Sequence, residues 1–135
     1  MDDLEQILEM SMKFVGMTGY ADLSNEDDIK MLIQAIIEAP RNEKIIIIDD
    51  FGFIAGQATR FPFGQDLIAS EIAWWIDPEA RGENKGARLM EAFEYWAKNI
   101  AGCKLISMTS LNNTVEKIYR KKGYKLYERA YMKVL

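Results

Sequence analysis

The residues best placed to do chemistry form one run, Asp77-Pro78-Glu79-Ala80-Arg81-Gly82-Glu83-Asn84-Lys85-Gly86-Ala87-Arg88-Leu89-Met90. Its pattern predicts a strand that ends at Asp77-Pro78, a glycine-containing turn, and a long helix that begins just beyond it. Backbone N–H groups at such a helix start can cradle phosphate oxygens, because they point outward at the positive end of the helix dipole. Gly82 and Gly86 permit close approach to the backbone, and Arg81, Lys85 and Arg88 add local positive charge. The run is neither the dinucleotide GxGxxG pattern nor the phosphate loop that ends in Gly-Lys-Ser/Thr. On shape alone a plainer reading stays open: Gly82 turns the chain, and the three cations are solvated surface charges.

Absences narrow the chemistry. The chain has 135 residues and no His, which excludes His-based triads and His-containing zinc sites. No metal site is expected. The single Cys103 can form neither an intrachain disulfide nor a CxxC pair, and it reads as an inert small residue. What remains is carboxylates, hydroxyls, amines, backbone groups or a bound cosubstrate. Lys plus Arg is 17 and Asp plus Glu is 21, a net charge of −4, which argues against general nucleic-acid binding. No stretch approaches the roughly 18 apolar residues that span a bilayer, so no membrane partner is expected. The acidic start, Met1-Asp2-Asp3-Leu4-Glu5, lacks the basic head of a signal peptide. These features together predict a cytoplasmic protein.

The elements that must position the run follow from periodicity. With 49% hydrophobic and 28% charged residues, the composition is that of one globular α/β domain over residues 1–135. Leu4, Ile7, Leu8, Ser11 and Phe14 keep a helical period, with Gly16 and Gly19 at the expected exit. A second helix is expected from Ser24, read as its N-cap, through the apolar stripe Ile29, Leu32, Ile33, Ile36 and Ile37 to Pro40. Strands are expected at residues 44–48, 53–60 and 67–76. Leu89, Phe93, Trp96 and Ile100 fall on one face of the long helix that follows, and Gly102 ends it. A strand at 104–109, a short helix at 113–122, and a closing hairpin of 124–127 with 131–135 complete the expectation.

Arg81-x-x-Asn84-x-Gly86-Ala87 resembles the acyl-CoA loop of the GNAT family of N-acetyltransferases, with Asn84 in place of the first loop glycine. Asn tolerates a left-handed backbone better than most residues, so the replacement is physically reasonable. A second stretch, from Asn112 to Gly123-Tyr124, resembles the family's Asn-to-Tyr segment, with Asn112 and Tyr119 at its polar landmarks. The resemblance implies a GNAT-like α/β fold, a mixed sheet flanked by helices, with the usual first strand missing. It also implies that residues 83–88 face the pyrophosphate of acetyl-CoA, with Arg81, Gly82, Glu83, Asn84, Lys85, Gly86, Ala87, Arg88 and Asn112 as binding residues.

By the same resemblance the site lies where two parallel strands separate. Backbone groups of Trp74, Trp75 and Ile76 would hold the acyl carbonyl and the pantetheine arm. The two indoles themselves are expected to pack on opposite sides of the strand. Glu71 is the candidate base for the incoming amine, ahead of Asp66 and Asp77, with a substrate-orienting or exposed role as its alternative. Tyr119 is the candidate donor to the departing thiolate; a packed helix tyrosine is the alternative.

The implied function is direct transfer of an acetyl group from acetyl-CoA to a primary amine. Asp22, Glu26, Asp27 and Asp28, with Phe61, Phe63 and Tyr131 as an apolar wall, suit a cationic acceptor, a peptide or protein amine or a small polyamine. The alternatives are a noncatalytic acyl-CoA-binding or protein-interaction module of the same fold, and a different small nucleotide-binding α/β protein. An uncovered sheet edge would also suit a homodimer.

Overall fold

A computed structural model describes residues 2–19, 21–81, 84–110 and 113–135. Helices α1 (Asp2–Thr18) and α2 (Glu26–Glu38) come first, and no strand precedes them among the described residues. Then come β1 (Lys44–Ile48), β2 (Gly52–Arg60), β3 (Leu67–Ile76), α3 (Lys85–Tyr95), β4 (Leu105–Ser107) and α4 (Asn113–Lys121). The four strands lie in the order β1-β2-β3-β4. The first two pairings are antiparallel and β3 with β4 is parallel. This is the mixed sheet flanked by helices that the sequence implies.

Alternation along the strands sorts the core into two layers. Phe53, Ala55 and Trp75 pack under Met10 of α1 and Ile36 of α2. Ile54, Ala69 and Ile76 pack under Leu89 and Phe93 of α3, with Trp96 and Ala97 just beyond it. Gly56 lets α3 approach closely, since a Cβ there would overlap the Phe93 ring. The strict period of two breaks once. Gly56 pairs with Glu71 and Ala55 with Ala73, so Ile72 is an extra residue, a β-bulge. As a result Ala69 and Trp74, five positions apart, share one core layer.

Three local expectations are corrected. The cap of α2 is Asn25, not Ser24: its side-chain oxygen accepts the Asp28 N–H at 2.8 Å, which a residue one place earlier does not reach in this geometry. The long helix does not continue regularly to Ile100. Residues Trp96–Ile100 widen into a π turn, and Ile100 becomes 41% exposed. The C-terminal hairpin does not form. No strand is assigned in 124–135, and Tyr127, Tyr131, Met132 and Leu135 are exposed. Glu128-Arg129-Ala130 supplies no Gly or Asn for the left-handed position that a three-residue hairpin loop uses.

Candidate active site

The site begins where β3 and β4 part. Their parallel pairing runs from Ile68 with Leu105 to Ser70 with Ser107 and stops there. Beyond it β3 continues to Ile76 with β2 on one side only. The Asp77 N–H donates to the Phe51 carbonyl at 2.7 Å, so alternation turns the main chain of Trp75 and Ala73 toward β2. The N–H and C=O groups of Trp74 and Ile76 therefore face the opening beside β4.

Glu71 stands at the start of this opening, just before the bulge. One of its carboxylate oxygens accepts the Thr109 hydroxyl at 3.1 Å and the Thr109 N–H at 3.4 Å. Burial pushes the Glu71 carboxyl up to about 7, against the two Thr109 hydrogen bonds, which pull it down. Tyr119, buried on α4, donates its hydroxyl to the Thr109 carbonyl at 2.6 Å. Burial, and then the negative charge of Glu71, push the Tyr119 phenol above its ordinary range. Glu71 and Tyr119 thus meet across one residue. Thr109 itself was missed by the sequence reading; lying just beyond β4, it carries no signal except its place opposite the end of β3.

Tyr119 also stacks on Trp74, with ring centroids 6.1 Å apart and planes at 28°. The helix that carries it is docked on α3. Lys122 lies 3.3 Å from Glu91 and 3.5 Å from Glu94, and the Tyr124 hydroxyl donates to Glu94 at 3.0 Å.

The turn before α3 adopts the left-handed conformation expected of it. Asn84 has φ 64° and ψ 11°, and among the described residues it is the one non-glycine with positive φ. Its carbonyl accepts the first helical bond, from the Arg88 N–H at 3.1 Å. The amides of Lys85, Gly86 and Ala87 precede that bond and point out of the helix start. Gly86 presses against Trp74: a Cβ there would lie 3.2 Å from its Cζ2. The Lys85 ammonium sits 3.0 Å over the Phe51 ring, and Arg88 is exposed. Gly82, Glu83 and Asn112 lie outside the described residues.

Two expected binding residues turn away. Trp75 packs its side chain under α1 and α2, donates its indole N–H to Asp77 at 2.9 Å, and gives its main chain to β2. Arg81 folds back as well. Its Nε donates to the Ile76 carbonyl at 2.9 Å and its guanidinium covers the Trp75 ring at 4.9 Å. The Ile76 carbonyl is thereby occupied, and Arg81 secures the turn.

The residues proposed for the acceptor are scattered. Phe61 and Phe63 form an edge-to-face pair in the β2–β3 loop, and Tyr131 is 86% exposed. Asp28 is engaged in capping with Asn25. Two grooves of about 460 and 470 Å³ lie elsewhere, one behind Ala97 and Cys103 and one between Leu23 and Met132.

The model of the acetyltransferase (GNAT) domain matches residues 36–126. The chain belongs to the GNAT family. Membership supports acyl transfer from acetyl-CoA as its general activity. Solved structures agree on the fold. A GNAT family acetyltransferase of Staphylococcus aureus is 23% identical, with 99% of this chain and 93% of that one aligned and a TM-score of 0.70. An acetyltransferase of Trypanosoma brucei is 16% identical, with 97% and 94% aligned and a TM-score of 0.70. AAC(6')-Iy, solved with the bisubstrate analogue CoA-S-monomethyl-acetylneamine, is 19% identical, with 98% and 90% aligned and a TM-score of 0.71. No curated protein sequence gives a significant match.

Proposed function

We propose that this GNAT protein transfers an acetyl group from acetyl-CoA to a primary amine by direct attack, with Glu71 as base and Tyr119 as proton donor to the departing thiolate. One observation carries the reading: Glu71 and Tyr119, from separate elements, converge on Thr109 at the mouth of the β3–β4 opening. A long acyl thioester fits the chain's own groups there. The αL turn at Asn84 and the first amides of α3 would hold its pyrophosphate. The main chain of Trp74, beyond the last β3–β4 pair, would take carbonyl and amide groups of its arm.

Glu71, held near neutrality by burial, is suited to taking a proton from an ammonium at physiological pH, directly or through water. Thr109 holds the carboxylate in place, its hydroxyl lying 3.1 and 3.3 Å from the two oxygens and its N–H bonding only the nearer one. Tyr119 stays protonated, because burial and the Glu71 charge oppose ionisation, so its hydroxyl remains a donor. The acid-rich start of α2 supports a cationic acceptor, a peptide amine or a polyamine. AAC(6')-Iy, whose bisubstrate analogue carries an acetylated amine, is consistent with amine acceptors on this fold.

The test is a mass-spectrometric screen of amines and peptides with acetyl-CoA, reading both free thiol and acetylated product. Tyr119→Phe is expected to slow thiol release about ten- to a hundredfold while changing CoA affinity much less. A wild-type protein that binds no acyl-CoA in calorimetry overturns the reading. Binding without any turnover would instead favour the noncatalytic module.

A further inference from the structure

The three indole N–H groups are not treated alike. Trp75 donates to Asp77 at 2.9 Å, and Trp96 donates to the Arg41 carbonyl at 2.7 Å. The Trp74 Nε1 is sealed from water and has no hydrogen-bond partner among the described residues. An indole N–H is a donor only, so nothing else can offset its desolvation, and such orphans are uncommon enough to require a reason. Its place supplies one. The Cζ2 and Cε2 edge of the ring lies against Gly86 in the first turn of α3, and its face lies against Tyr119. Any ligand that spans from that turn to Tyr119 must run along Trp74. The ring as a whole is only half-buried, and a bond from Nε1 to a ligand in the opening would require the ring to turn or to part from Tyr119.

We propose that the Trp74 indole N–H is a ligand-binding donor, which gives its hydrogen bond to a carbonyl oxygen of the acyl-CoA arm lying between the α3 turn and Tyr119. This rests on the proposed function above and adds a side-chain contact to it. No described residue accepts from this donor, so a ligand carbonyl would complete a hydrogen bond without displacing one of them. The other two indoles have no such vacancy and serve as internal controls.

The experiment is an ¹⁵N–¹H NMR titration of the full chain with CoA and with acetyl-CoA, following the three indole signals and the amides of Lys85, Gly86 and Ala87. The Trp74 indole signal is expected to shift downfield and to gain protection from hydrogen exchange, while the Trp75 and Trp96 signals stay in place. Trp74→Phe keeps a ring against Tyr119 and removes the donor; it is expected to weaken CoA binding about three- to tenfold in a protein that still melts cooperatively. If the turn amides shift but the Trp74 indole does not, or Trp74→Phe binds CoA as tightly as wild type, the inference is overturned and the proposed function stands. If neither the turn amides nor the indole respond to saturating CoA, the proposed function falls with it.

Discussion

Trp74 and Trp75 are neighbours in sequence and opposites in circumstance. Trp75 sits in a closed account of partners: Asp77 takes its indole N–H, Arg81 covers its ring, and Lys13 of α1 approaches Asp77 to 3.6 Å. Trp74, on the other side of the sheet, has a stacking neighbour, a tight contact at Gly86 and a donor with no partner among the described residues. The side facing α1 and α2 is built to hold the end of β3 still. The side facing α3 and α4 gathers the groups that have capacity left over: Glu71, the Trp74 main chain and the Asn84 turn. The difference teaches that cations and aromatics near a phosphate-binding turn divide between support and contact, and that residue type does not tell which.

The largest expected effect lies on the second side. Glu71→Gln should lower kcat on the order of a hundred- to ten-thousandfold with CoA affinity nearly unchanged, measured by thiol release and calorimetry. In the wild type, kcat/KM should rise with pH through about 7 as the carboxyl ionises. Stability should run the other way. The folded protein binds the Glu71 proton more tightly than the unfolded chain does, so this group's contribution is fullest below an ordinary carboxylate pKa and is lost as pH rises through about 7. Thermal melting of Glu71→Gln should lack that component. A pH-independent difference in Tm between the two proteins would contradict it.

Next comes Arg81→Ala, which removes a hydrogen bond to a main-chain carbonyl and a cation–π contact. It should cost about 1–2 kcal/mol of stability by urea denaturation. Arg88→Ala, on the exposed helix start, should leave the urea midpoint in place and weaken CoA binding a few-fold, more at low salt than at high. If the two arginines exchange these outcomes, the division between support and contact is wrong. The smallest effect is expected for Trp75→Phe, about 1 kcal/mol of stability for the lost bond to Asp77, with CoA titration curves unchanged.

Much of this arrangement was legible in the sequence where local pattern decides. The strand β1 was legible from its short β-branched run, and the Leu89–Phe93 face of α3 from its helical period. The left-handed turn at Asn84 was legible through the resemblance, which sets Asn where the family's loop has its first glycine, and Asn tolerates positive φ. The failures have a common physical root, since each depends on a partner distant in the chain. Arg81 looks the same in sequence whether it meets a phosphate or the Ile76 carbonyl five residues back. Thr109 becomes significant only because the end of β3 brings Glu71 to it. The apolar alternation of 124–135 predicts strands, but a strand exists only when another edge accepts its hydrogen bonds, and β4 is ordered over three residues. The roles of Glu71 and Tyr119 came from resemblance; composition alone offered many acids and tyrosines.

The extra residue at Ile72 acts as a phase shift in a signal of period two. Upstream of it, odd-numbered residues of β3 face α3; downstream, even-numbered ones do. Chain added in the loop before Leu67 leaves that phase intact, whereas loss of a single residue within the bulge would reverse it for everything on one side. Trp74 and Trp75 would then trade environments, or Glu71 would turn toward α1. The polarity of the whole site is thus encoded in a count of one, and variation in length is far less forgiving at that point than variation in identity.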